Sequence, residues 1–186
     1  MATRDREHVD RGGRVFRVAD PDWEDPLDSS FAAQTGGRWN PPDSFGVLYL
    51  NDSVAVARAN VERLYAGLPY APEDLENLAA PILLDLDVPV ESYADATTDK
   101  GLVRLGLPTT YPHDSAGRIV QHSICQPIGQ AVHADAELGV ACRSAAVGAE
   151  REELAWFELA WFELPSRPRP TLAATKLFEE WFWAAS

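Results

Sequence analysis

Polar and apolar residues alternate over Arg14-Val15-Phe16-Arg17-Val18, the period of a half-buried strand, with Arg17 set between two apolar neighbours. Gly46 to Leu50 reads as a second strand. Between them Asp20 to Gln34 is acidic and rich in turn residues, a loop that leads into Gly36-Gly37. Asp52 or Ser53 then caps a helix over Val54 to Ala66, whose Val54, Ala57, Val61, Leu64 and Tyr65 recur at helical spacing before Gly67 and Pro69 stop it. A helical turn over Asp74 to Ala79, a buried strand over Pro81 to Asp87 and a brief helix over Leu102 to Leu107 follow. Pro108 to Arg118 is a long loop. Ser123 opens the longest helix, Ile124 to Leu138, with Gly139 at its end; Ser123 and Gln126 have the spacing of a capping box, and Pro127 lies early enough to be tolerated.

Val140 to Arg143 and Leu154 to Leu164 read as later strands. The second holds a tandem duplication, Leu154-Ala155-Trp156-Phe157-Glu158 followed by Leu159-Ala160-Trp161-Phe162-Glu163. Five is an odd period, so in one strand the second copy turns its pattern to the opposite face; a bulge or a helix are the alternatives. Ala173 to Ala185 closes the chain as a helix carrying Phe178, Trp181, Phe182 and Trp183, a core element or a surface for a partner. Residues 1–12 are mostly charged and polar and read as a frayed, disordered tail. Strands and helices are interspersed without a regular βαβ alternation, which makes the class α+β, with one domain over residues 13–186.

The chain has 186 residues, enough to bury a core without staples, and a formal charge of −13. That charge disfavours non-specific attraction to nucleic acid or anionic lipid and suits a basic partner protein. An anionic ligand would have to be met by arginines placed against the overall field. No apolar run is long enough to span a bilayer and Met1 to Glu7 has no signal-peptide core, so a cytoplasmic protein is expected. Cys125 and Cys142 lack metal-ligand spacing and are expected to be reduced, buried thiols. His8, His113, His122 and His133 form no local ligand pair, so no structural metal is expected.

Chemistry concentrates in Gly36-Gly37-Arg38-Trp39-Asn40-Pro41-Pro42 and the Tyr49 that follows. Two glycines free the backbone, two prolines fix the exit, and between them stand a guanidinium suited to phosphate oxygens and an indole offering a flat apolar wall. This is a loop that presents Arg38 to an anionic ligand, or a surface turn whose arginine pairs with a carboxylate. Ser123 is explained by helix capping alone, Tyr49 by core packing, Arg17 by a buried carboxylate, and Glu62 by a solvent-facing position beside Arg63. His122 reads as a loop histidine, because adjacent residues rarely face one another.

The string Phe16-Arg17, then Gly-Gly-Arg38-Trp39-Asn40-Pro-Pro, then Tyr49-Leu50 before a capped helix, and later Ser123 with Cys125, Gln126 and Gly129, resembles the RES-domain family. That family supplies the toxins of RES–Xre toxin–antitoxin pairs, and the likeness runs from about Arg14 to Gly139. The resemblance implies a fold similar to ADP-ribosyltransferases and diphtheria-toxin-like enzymes. It implies NAD as a substrate with no separate cofactor, cleaved by phosphorolysis or hydrolysis or used to ADP-ribosylate a protein, and an Xre-type antitoxin as partner.

Carried over by position, the family's arginines fall on Arg17 and Arg38, its tyrosine on Tyr49 and its serine on Ser123. On this reading Arg17 and Arg38 clamp the diphosphate, Tyr49 or Trp39 stacks on a ring, and Ser123 orients the substrate. The family's glutamate falls eleven residues after the tyrosine, where this chain has Asn60. Glu62 is the nearest carboxylate, but two residues turn a helical side chain by about 200°, so it serves only if the helix is shifted. A catalytically silent module that binds NAD, ADP-ribose or a protein partner is therefore the competing expectation.

Overall fold

In the computed structural model, which describes residues 5–76, 79–146 and 157–184, the long strand β1 (His8–Ala19) pairs antiparallel along its length with β3 (Ile82–Ala96). Gly12 and Gly13 interrupt that ladder. The register shifts between Arg11 and Gly13, and a side chain on Gly12 would run into the backbone of Pro89 and Val90. The pair is thus bulged where β3 carries a proline, the position at which a sheet tolerates one.

β1 also pairs with β2 (Val47–Asn51), which pairs with β5 (Phe157–Phe162), which pairs with β4 (Gly139–Arg143), which returns to the far end of β3. The order β1-β2-β5-β4-β3 therefore closes on itself through β1–β3, while β6 (Thr171–Lys176) extends the other edge of β3. Only β3–β4 is parallel, so the six-stranded sheet is mixed and the α+β reading stands.

Helices α1 (Ser30–Thr35), α2 (Val54–Tyr65), α3 (Asp99–Leu105), α4 (His122–Ala134) and α5 (Phe178–Trp181) pack around it. Alternate residues serve separate cores. Val15, Leu84, Leu86 and Trp161 pack in one cluster, while Phe16 and Leu83 meet Ala57 and Val61 of α2 and Phe178, Trp181 and Phe182 at the C-terminal end. A third cluster gathers Trp39, Val47, Phe162, Cys125 and Val132, and joins α4 to the Gly-Gly-Arg-Trp loop.

Several expectations are corrected. Residues 8–12 are strand rather than tail: Arg6, almost fully buried, holds Asp135 at 2.6 Å and also pairs with Glu137, anchoring the start of β1 across the fold. The C-terminal segment is no long helix. Thr171–Lys176 is drawn into β6, leaving only Phe178–Trp181 helical. The expected loop Asp20 to Gln34 runs into α1 from Ser30 on, and β3 runs nine residues past Asp87. The helical turn expected over Asp74 to Ala79 falls partly on residues 77–78, outside the described residues; a 3₁₀ turn covers Pro72–Asp74 just before it. Helix α4 begins at His122 on an N-cap Gln121 and ends at Ala134, so Ser123 caps nothing and Gly139 opens β4. Leu154 to Trp156, the head of the duplication, lie outside the described residues; Phe157–Phe162 is strand and Glu163 follows it.

Candidate active site

The Gly-Gly-Arg-Trp loop is fixed from two sides. Tyr49 of β2 accepts a hydrogen bond from the Trp39 backbone N–H at 2.9 Å and donates one to Asn40 Oδ1 at 2.9 Å. Its ring lies so close to Gly37 that an added Cβ there would sit 2.7 Å from Tyr49 Cε2, which is why the second glycine is needed. From the other side α4 presses Gly129 against the Trp39 backbone, and Gln126 donates to the Gly37 carbonyl at 3.0 Å. Burial raises the Tyr49 pKa, so the phenol stays a neutral double partner within the loop.

The loop forms one wall of a cleft of about 360 Å³, within the range of small-molecule sites. Period-two geometry directs Val47, Tyr49 and Asn51 of β2 to it, and helical spacing directs Asn60 and Arg63 of α2. Arg17 and Arg38, 21 positions apart in the chain, both line it, and each is only 8% exposed. Arg17 Nε donates to the Pro26 carbonyl at 2.9 Å, and its guanidinium carbon lies 5.7 Å from the centre of the Trp23 ring. Arg38 is braced by one nitrogen on the Val120 carbonyl at 3.0 Å.

Neither arginine forms an ion pair within 4 Å among the described residues, in contrast to Arg6, Arg14 and Arg167. Burial lowers the Arg17 pKa to about 10 against the pull of Asp25 and Asp28, which still leaves it cationic at neutral pH. At Arg38 burial also works against the charge, but Tyr111, Cys142, Cys125 and Glu158 around it more than offset this and its pKa is raised.

Not every expected residue reaches the cleft. Trp39 is fully buried, its indole N–H on Cys142 Sγ at 3.4 Å, so it is core and offers no wall to a ligand. The aromatic surfaces of the cleft are instead Trp23 and Phe31, 38% and 62% exposed, with ring centres 6.1 Å apart. Ser123 is exposed on the outer side of α4 and lines nothing here, while His122, expected to be a loop histidine, does. Burial, then Arg38 and Arg63, lower the His122 pKa, so it is neutral at pH 7. Glu62 is solvent-exposed and borders a different groove with Arg58 and Tyr65, as its half-turn offset from Asn60 requires.

Asn60 does line the cleft. Its amide donates to Asn51 Oδ1 at 2.9 Å and to Glu158 Oε1 at 3.0 Å. Glu158, Asn51 and Arg63, like Trp23 and Phe31, line the cleft and were missed in sequence reading. The signal for Glu158 was the odd period of the duplication: Glu158 turns to the cleft, while Glu163 is engaged elsewhere by Ser29 and Arg169. Cys125 and Cys142 are free, buried thiols, and among the described residues no group of three or more His, Cys, Asp or Glu is placed to hold a metal ion. Nor is any described helix long and apolar enough to cross a membrane.

A family model described as the RES domain matches residues 14–175. Proteins named NAD(+) phosphorylase MbcT, from Mycobacterium bovis and Mycobacterium tuberculosis, are 33% identical over 109 residues, 58% of this chain and 54% of theirs. The chain thus spans about half the length of the curated relatives it matches. A solved structure described as the M. tuberculosis MbcT-MbcA toxin-antitoxin complex aligns with a TM-score of 0.74 and 23% identity, covering 95% of this chain and 92% of that one. At that identity the likeness is one of fold.

Proposed function

The chain belongs to the RES-domain family, and from that premise we propose that it is the toxin of a toxin–antitoxin pair that binds NAD in this cleft and cleaves its nicotinamide–ribose bond. The observation that carries the reading is the convergence of Arg17 and Arg38, buried, charged and without an ion-pair partner among the described residues, on one concave site. A dinucleotide diphosphate supplies two adjacent anionic groups, and guanidinium forks bind such oxygens through charge-assisted, often bidentate bonds. Trp23 and Phe31 at the same cleft provide faces for a flat ring. Tyr49 holds the Arg38 loop in place, and Asn60 lies on the opposite wall with Asn51.

The names of the mycobacterial relatives support inorganic phosphate as the acceptor. In that case the bond between the anomeric carbon and the pyridinium nitrogen breaks, and its electron pair leaves on nicotinamide. A phosphate oxygen then bonds to the same carbon. NAD is the substrate, and the scheme calls for no further cofactor. We place the finer likeness to ADP-ribosyltransferases, the cytoplasmic location and an Xre-type antitoxin over the cleft within the same proposal.

Purified protein incubated with NAD, with and without phosphate, tests it. Release of nicotinamide with a phosphorylated ADP-ribose is expected, and Arg38→Ala should lower kcat/KM at least about 100-fold, the scale of one or two lost hydrogen bonds to a charged group. Phosphate-independent turnover would make water the acceptor, and label transferred to protein would indicate ADP-ribosylation. A second reading, a module that binds the dinucleotide without turnover, is favoured by the neutral Asn60 in the site. It predicts tight NAD binding and no nicotinamide release.

A further inference from the structure

Among the described residues that line the cleft Glu158 is the one acid, beside Arg17, Arg38 and Arg63. It projects from β5 between two neighbouring strands, level with Asn51 of β2 and Cys142 of β4. Its Oε1 is held by two donors, the Asn60 amide at 3.0 Å and the Ser144 hydroxyl at 2.7 Å. Its other oxygen accepts no hydrogen bond among the described residues, and Glu158 lines the cleft. Asn60 spends both amide protons on acceptors, Glu158 and Asn51, and Asn51 in turn donates to the Phe16 carbonyl at 3.1 Å. A carboxylate at position 60 would face another carboxylate and lose both bonds. Only an amide fits this network.

We propose that Glu158 is the catalytic carboxylate of this site and that Asn60 is its positioning residue. The inference rests on the reading that NAD is the substrate. As the carbon–nitrogen bond breaks, the pyridinium is neutralised by the departing electron pair and positive charge grows on the ribose ring. The ionised Glu158 stabilises that charge, forms no bond and gains no proton; the acceptor oxygen then bonds to the anomeric carbon. The charge is thus supplied from the sheet instead of the helix.

The test is Glu158→Gln, which keeps both accepted hydrogen bonds through its amide oxygen. We expect kcat for nicotinamide release to fall at least about 100-fold, as for loss of one preorganised electrostatic stabiliser, with a smaller rise in KM. Glu158→Asp, which withdraws the charge by one methylene, should lose less. Asn60→Ala should lower kcat about 10-fold with little change in KM, because Glu158 loses the amide that aims it, a split that a merely structural defect would not give. Binding gives an arm independent of turnover. Wild type should prefer oxidised NAD, whose ring is cationic, over NADH, and Glu158→Gln should lose that preference.

Glu158→Gln with kcat and preference both within threefold of wild type overturns the proposal while leaving NAD cleavage intact. Wild type that releases no nicotinamide sinks the turnover reading, and the binding comparison then decides on Glu158. Wild type that binds neither dinucleotide overturns both.

Discussion

Replacing Gly129 with alanine tests the seam that holds the arginine loop. In an ordinary helix interior this change stabilises by about 1 kcal/mol, because glycine is the poorer helix former. Here the new Cβ would overlap the Trp39 carbonyl oxygen and lie 2.7 Å from its carbonyl carbon. Carbon atoms pack at about 3.5–4.0 Å, so α4 and the loop must separate by roughly 1 Å, a gap that forfeits a quarter to a half of the dispersion attraction across it. The seam buries Cys125 and Val132 against Trp39, and its opening also strains the bond from Gln126 to the Gly37 carbonyl.

Losing part of the packing of those side chains, with the overpacking itself, costs about 3 kcal/mol, and the helix-propensity gain returns about 1. The net expectation is a loss of about 2 kcal/mol, or roughly 4–8 °C in Tm for a domain of this size. Urea unfolding followed by tryptophan fluorescence measures it, with the exposed neighbour substitution Gln130→Ala as a control expected within about 0.5 kcal/mol. NAD affinity should fall in parallel, because Arg38 lies on the displaced loop. A Gly129→Ala protein as stable as wild type, or more so, would refute the close packing of α4 on the loop.

Arg6→Ala should cost about 1–3 kcal/mol in urea unfolding, since it leaves Asp135 and Glu137, both only part-exposed, without their cation; faster amide exchange over His8 to Arg11 would show that the first half of β1 has loosened. His122 has its pKa lowered by burial and by Arg38 and Arg63, so an anion bound between those arginines should raise it; an NMR titration of the imidazole with and without saturating NAD checks this, and an unmoved pKa would place the anion elsewhere. Burial opposes the Asp95 carboxylate, but hydrogen bonds from Thr97 and Thr98 outweigh it and hold its pKa below the ordinary value. Its stabilising contribution is therefore complete above the unfolded pKa near 4 and lost as pH falls through the lower folded value, and Asp95→Asn should flatten the acid limb of the stability curve. Arg17→Met removes a buried, unpaired charge while keeping an unbranched side chain, so it should leave the apo protein as stable or more stable by about 1 kcal/mol in thermal unfolding, yet abolish NAD binding.

What could be read from the chain was local. The alternation at Arg14 to Val18 and the Ser53 cap on α2, whose hydroxyl accepts from Val56 at 3.3 Å, depend on near neighbours, and β1, β2 and α2 followed. What escaped depends on distant partners. Arg6 and His8 look like a solvated tail until Asp135 and Glu137 are brought beside them. The strand expected over Pro81 to Asp87 continues through Pro89, because Gly12 and Gly13 of β1 open a bulge opposite that proline. β6 is almost wholly exposed, so it has no apolar pattern to detect and is made a strand by pairing with β3. In the site, Arg17, Arg38, Tyr49 and Asn60 were legible through the family string. Trp39 was misjudged because a tryptophan beside a binding arginine reads equally well as wall or as core, and only the depth of the Cys142 contact decides.

The placement of charge argues for a ligand more strongly than any one residue does. With 29 acidic side chains against 16 lysines and arginines, an arginine in this chain has carboxylates within easy reach: Arg6 takes two, and Arg143 and Arg167 one each. Arg17 and Arg38 do not, although Asp25 and Asp28 lie near enough to Arg17 to act on its charge. Removing an ion from water costs several kcal/mol unless an opposite charge compensates. Arg17, whose charge burial disfavours, is therefore a standing cost to the empty protein, and an ion-pair partner would have relieved it. The cost is recovered only when an anion with two adjacent negative groups enters the cleft. The same logic fits the carboxylate of Glu158 in the same cleft: a ligand that joins an anionic diphosphate to a cationic ring, as oxidised NAD does, meets the complementary sign at each.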